Sequence, residues 1–126
     1  MLRSIEEKGY TQPTPIQDKI IFPILQGRDV VGLANTGTGK TAAFLFPLIE
    51  KVLQNPHEQI LIIAPTRELA LQIGQELQSI TKRMRVYSVI CVGGEQIWIQ
   101  IRKLRYKNNF VIGTPGRLID LVKRGA

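Results

Sequence analysis

Four short runs, residues 29–33, 59–64, 86–92 and 110–113, are nearly continuous in apolar side chains and rich in Val and Ile. Runs of this length without alternating polar positions predict strands covered on both faces. The segments between them repeat with a helical period instead. In residues 67–81, Leu69, Ile73, Leu77 and Ile80 recur at spacings of 4, 4 and 3 and share one helix face. Residues 95–106 also fit a helix, with Ile97, Ile101 and Leu104 on one stripe and Arg102, Lys103 and Arg105 largely outside it. The stretch after Lys40, TAAFLFPLIEKVLQ, predicts a helix in which Pro47 introduces a kink or removes a hydrogen bond. Residues 16–25 predict a further helix, its approach stiffened by Pro13 and Pro15, and 26–29 read as a turn into the first strand. Strands alternating with helices on this scale predict βαβ units, an α/β fold on a parallel sheet flanked by helices.

Length and composition narrow the class without choosing a function. The 126 residues have room for one modest domain. No apolar run approaches the roughly 20 residues that span a bilayer. The opening MLRSIEEKGY lacks the apolar core of an export signal, so the expected location is the cytoplasm, or the nucleus in a eukaryote. The single cysteine, Cys91, cannot form an internal disulfide and sits in the run VYSVICV. It reads as a buried thiol in a reducing compartment rather than a reactive one. Charge changes the picture more. Residues 82–126 hold ten of the seventeen bases and two of the ten acids, a net of +8, whereas residues 1–81 hold seven bases and eight acids, a net of −1. A basic half on a neutral half suits a phosphate-backbone binder, and also serves solubility.

Candidate chemistry concentrates at Ala34-Asn35-Thr36-Gly37-Thr38-Gly39-Lys40-Thr41, which follows a predicted strand and opens a predicted helix. That is the setting of a P-loop. Gly37 and Gly39 let the backbone curl until successive N–H groups face phosphate oxygens, and the helix N-terminus adds partial positive charge there. Lys40 is expected to reach the β- and γ-phosphates and the Thr41 hydroxyl to bind Mg²⁺, which makes these two the catalytic candidates and a nucleoside triphosphate with Mg²⁺ the expected ligand. The strict pattern has Gly at position 34, where this chain has Ala. A P-loop alone does not choose between kinases, GTPases, motor proteins and helicases.

Upstream lies Gly9-Tyr10-Thr11-Gln12-Pro13-Thr14-Pro15-Ile16-Gln17. Downstream come Pro65-Thr66-Arg67-Glu68-Leu69-Ala70, Gly93-Gly94 and Thr114-Pro115-Gly116-Arg117, with Gln100 and Leu104 after the glycine pair. In order and spacing these segments resemble the DEAD-box RNA helicases over essentially the whole chain: the Q motif at 9–17, the P-loop at 34–41, motif Ia at 65–70, the glycine pair at 93–94 and motif Ib at 114–117. The resemblance implies that residues 1–126 form the front of a RecA-like ATP-binding domain. It puts Gln17 on the adenine edge and Tyr10 under the base. A carboxamide matches the N7 acceptor and N6 donor of adenine and mismatches guanine, by analogy with DNA readout worth ~1–3 kcal/mol.

The later segments each follow a predicted strand, so they fall at one edge of the sheet, where parallel α/β folds place ligands. Arg67 can fork onto a phosphate, and the Thr66 hydroxyl and the helix start can donate to another. Thr114, Pro115, Gly116 and Arg117 repeat that arrangement, and Gly93 and Gly94 allow close approach of a backbone N–H. By resemblance the ligand is single-stranded RNA, bound without sequence preference. Plainer roles stand beside these: Glu68 capping or pairing its helix, Arg117 tying two loops together, Lys82, Arg83 and Arg85 forming a solvated turn, His57 lying in a loop and Trp98 packing.

Hydrolysis needs one carboxylate to hold Mg²⁺ through water and another to activate the attacking water. The family takes both from an Asp-Glu-Ala-Asp segment, and these 126 residues contain no Asp-Glu pair. The resemblance implies as partners the remainder of the first domain and a second RecA-like domain. Without the strands it places beside the P-loop strand, the segment exposes sheet edges that favour self-association. The expectation is an ATP-dependent RNA helicase whose present 126 residues do not hydrolyse ATP alone. The alternative is a non-catalytic ATP- or RNA-binding module acting as a decoy.

Overall fold

The computed structural model describes residues 15–32 and 40–126, and the chain divides into two compact units. The first spans Met1–Pro56 and Glu76–Arg85. In it α1 (Pro15–Leu25) packs against α2 (Lys40–Gln54). Helix α2 buries Leu45, Ile49 and Val52 along one face, which is the amphipathic spacing that turns a helix toward a core. It runs unbroken through Pro47, whose ring is fully buried. Burial of the ring offsets the hydrogen bond that a proline cannot donate.

One expected element is missing from this unit. Residues 28–32 belong to no strand, and Val31 is 89% exposed. An apolar run becomes a strand when a neighbour completes its hydrogen-bond ladder. The sheet of the described residues pairs in the order β1-β3-β2, without this segment.

The second unit, His57–Gln75 and Val86–Ala126, holds that sheet. Its strands β1 (Ile60–Ile63), β2 (Ser88–Cys91) and β3 (Phe110–Gly113) are all parallel. The chain passes from β1 through α3 (Arg67–Thr81), beyond β3, to β2, then returns through α4 (Ile97–Leu104) to β3. Right-handed crossovers that travel in opposite directions lay their helices on opposite faces. On one face Ile97, Ile101 and Leu104 of α4, Val111 of β3 and Leu118 of α5 (Pro115–Lys123) pack against a buried cluster of Val89, Cys91 and Leu121. On the other, a side chain at Gly74 of α3 would collide with Ile90 of β2, its Cβ 3.0 Å from Cγ1. Glycine there lets the helix settle onto the strand.

Asn109, buried beside the strand starts, aligns all three. Its Nδ2 donates to the Glu58 carbonyl at 3.2 Å, and its Oδ1 accepts from the Tyr87 N–H at 3.2 Å. Its own carbonyl accepts from the Ile60 N–H at 2.7 Å. The predicted runs 59–64 and 86–92 are a residue or two too generous for β1 and β2, whereas β3 and α3 coincide with their predictions.

Candidate nucleic-acid interface

The ladder register sets Ile63 and Cys91 on either side of Gly113, so three strand ends lie level and the segments leaving them emerge together. Backbone bonds continue the alignment past the strands. The Ala64 N–H donates to the Gly113 carbonyl at 2.9 Å, and the Thr114 N–H to the Cys91 carbonyl at 3.3 Å. The sequence-based expectation that 65–67, 93–94 and 114–117 share one sheet edge is met.

Pro65, Thr66 and Arg67 are exposed. The Thr66 hydroxyl oxygen accepts the Leu69 N–H at 3.2 Å, and the Thr66 carbonyl accepts the Ala70 N–H at 3.1 Å, so Thr66 caps α3. The hydroxyl proton remains available as a donor. Arg67 opens the helix, and its guanidinium lies directly against Gly94. A Cβ on Gly94 would sit 2.8 Å from Arg67 Cζ. Gly94 also has φ +92, a conformation that side chains disfavour. The glycine pair therefore brings backbone amides beside a guanidinium with no side chain between.

The third segment joins the same cluster. Pro115 opens α5 after Thr114, which makes no side-chain cap. The first N–H groups of a helix lack intrahelical acceptors, so those of Gly116 and Arg117 point outward. Arg117 donates from Nη2 to the Glu95 carbonyl at 3.2 Å, the loop-tying role weighed from sequence. Its remaining guanidinium donors are free of that bond. Behind the loop, buried Gln100 donates from Nε2 to the Val92 carbonyl at 2.9 Å and fixes the residue before Gly93. Sequence reasoning noted Gln100 only as pattern; an isolated glutamine on an otherwise amphipathic helix was the available signal. Cys91 beneath is fully buried, and desolvation pushes its thiol up to about 11, against a smaller opposing pull from Arg117. It is a neutral core thiol, as expected.

A cluster of two arginines, paired glycines and two helix starts at the carboxyl edge of a parallel sheet accounts for the later motifs together. Residues 14–126 match the model of the DEAD/DEAH box helicase family. The chain belongs to this family. Its fold is the RecA-like α/β domain of DEAD-box helicases, as the solved relatives show. A DEAD-box protein from the hyperthermophile Methanococcus jannaschii is 42% identical with a TM-score of 0.90, over 98% of this chain and 34% of that one. Mss116p, solved bound to single-stranded RNA and AMP-PNP, is 37% identical with a TM-score of 0.88, over 96% and 26%. The DEAD-box ATP-dependent RNA helicase CshA of Geobacillus kaustophilus is 48% identical over 99% of this chain. The chain spans 27% of the length of that relative.

The remaining residues expected at the site are placed in part. Tyr10, Ala34, Asn35, Thr36, Gly37, Thr38 and Gly39 lie outside the described residues. Lys40 is the first residue of α2 and Thr41, half-buried, the second. Gln17 is the third residue of α1. Trp98, expected to pack, is 53% exposed, because it sits off the Ile97–Ile101–Leu104 stripe that α4 buries. Among the described residues, no helix is long and apolar enough to cross a membrane, and no group of three His, Cys, Asp or Glu could hold a metal.

Proposed function

We propose that the chain is the front of the ATP-binding domain of an ATP-dependent RNA helicase, and that the loop cluster grips RNA by its backbone. The geometry that supports this is the convergence of Arg67, Gly94 and Arg117 at one sheet edge. Groups of these kinds address phosphates and sugars and leave base edges unread. Single-stranded RNA is the proposed ligand, with Pro65, Thr66, Arg67, Gly93, Gly94, Thr114, Pro115, Gly116 and Arg117 as its contacts.

For the nucleotide, Lys40 at the start of α2 suits a phosphate, since a helix start favours negative charge. Residues 34–41 would hold the triphosphate of ATP, Thr41 would contribute its hydroxyl to Mg²⁺, and Gln17 and Tyr10 would select adenine. Among the described residues no group of three His, Cys, Asp or Glu could hold the ion by itself. Bound Mg²⁺ would neutralise the developing phosphate charge. Hydrolysis then calls for carboxylates that these 126 residues, with no Asp-Glu pair, do not supply.

Nucleotide titration tests the proposal. ADP should bind more tightly than GDP, by about 5- to 100-fold, and Gln17→Ala should erase the difference. Equal affinities in the unaltered chain would refute the assignment. In the full-length protein, RNA-stimulated ATP turnover separates the enzyme from the binding module.

A further inference from the structure

Helix α4, which follows the glycine pair, carries a second face that the loop cluster leaves unexplained. Trp98, Arg102 and Arg105 recur at spacings of 4 and 3, so they share one side of the helix, and all three are exposed. The indole N–H donates to Gln96 Oε1, and the Arg102 guanidinium lies 5.2 Å from the ring centroid. These two contacts hold a large aromatic ring in one orientation while 53% of the residue stays open to solvent. Beyond the helix, Tyr106 is exposed, and Lys107 lies 5.8 Å over the ring of Tyr87. Cations predominate around it: residues 95–120 include five Lys and Arg against Glu95 and Asp120, and Lys103 pairs with Glu95 at 3.9 Å.

We infer that this face is an additional RNA subsite, a stacking platform where a base rests on Trp98 and Arg102 and Arg105 meet the adjoining phosphates. The inference rests on the RNA reading of the loop cluster. Trp98 stands four residues beyond Gly94, in the first turn of the helix that follows the glycine pair. A fixed aromatic ring flanked by Arg102 and Arg105 complements a polyanion carrying flat bases. A protein partner with an apolar groove would find too little uncharged surface here. Stacking on an aromatic ring serves any base, so the platform lengthens the footprint without adding sequence preference.

Trp98 is the chain's single tryptophan, and its emission reports on the site directly. The full chain is titrated with a short and a long oligouridine, reading Trp98 emission together with the anisotropy of end-labelled RNA. Trp98→Phe isolates the signal and retains an aromatic ring, Trp98→Ala removes the platform, and Arg67→Ala probes the loops. The long oligouridine should quench Trp98 in step with binding. Trp98→Ala should weaken the long RNA about 10-fold, spare the short one, and be largely rescued by Trp98→Phe. RNA binding that depends on Arg67, with Trp98 emission unchanged and Trp98→Ala binding like the unaltered chain, would overturn the platform and leave the loop reading standing. Absence of any RNA binding would overturn both.

Discussion

Gly94 is constrained twice, by a positive φ and by the Arg67 guanidinium against it. Replacement by alanine strains the backbone by about 1–2 kcal/mol and pushes Arg67 from its place. Gly94→Ala is therefore expected to lower stability by about that amount in a denaturant melt and to weaken RNA binding more than Gly93→Ala, since a Cβ at Gly93 meets nothing. Equal losses for the two variants would show that the Arg67 contact does not matter. At Cys91 the effect appears in pH instead. Burial raises the folded thiol from its ordinary 9.0 to about 11, so the folded state holds its proton where the unfolded chain has released it. The contribution is fully present below pH 9 and is lost as pH rises toward 11, by about 1.4 kcal/mol per unit between the two. Cys91→Ser should flatten that part of a stability–pH profile; an unchanged slope would place its origin in other groups.

Elements were legible in the sequence where burial alone decides them. Helix α3 follows its Leu69, Ile73, Leu77 and Ile80 stripe from end to end, and the three sheet strands fall within their apolar runs. Failure came where a partner decides. Residues 29–33 have the composition of a strand, yet 28–32 form none, because composition does not supply a ladder neighbour. The site motifs were legible through glycine and arginine at strand ends, which parallel register then aligns. The Arg67–Gly94 packing was not, as it depends on side-chain placement across two crossovers. Nor was Asn109, whose single side chain serves strands far apart in sequence. Asn109→Ala leaves the Tyr87 N–H and Glu58 carbonyl without that partner, and should cost about 1–3 kcal/mol in chemical denaturation. A cost near zero would mean that water replaces the bracket.

In the second unit β1 pairs on one side only among the described residues, and Leu61 and Ile63 on it are each 59% exposed. An apolar strand edge invites pairing with another chain. The 126-residue chain should self-associate in size-exclusion chromatography with light scattering, and Leu61→Lys should shift it toward monomer; a monomeric unaltered chain would contradict this. The charge of the chain acts at the same scale, since residues 82–126, which carry the glycine pair and the 114–117 segment, hold a net +8. Counterion release makes single-strand binding fall with salt by about 0.7 log units per phosphate contact for each tenfold rise. The salt dependence of oligouridine and oligoadenosine binding, with and without Arg67→Ala, therefore tests the backbone grip most directly. Both RNAs should bind alike, and Arg67→Ala should flatten both slopes by about 0.7. Strong preference for one base, or slopes indifferent to Arg67, would contradict it.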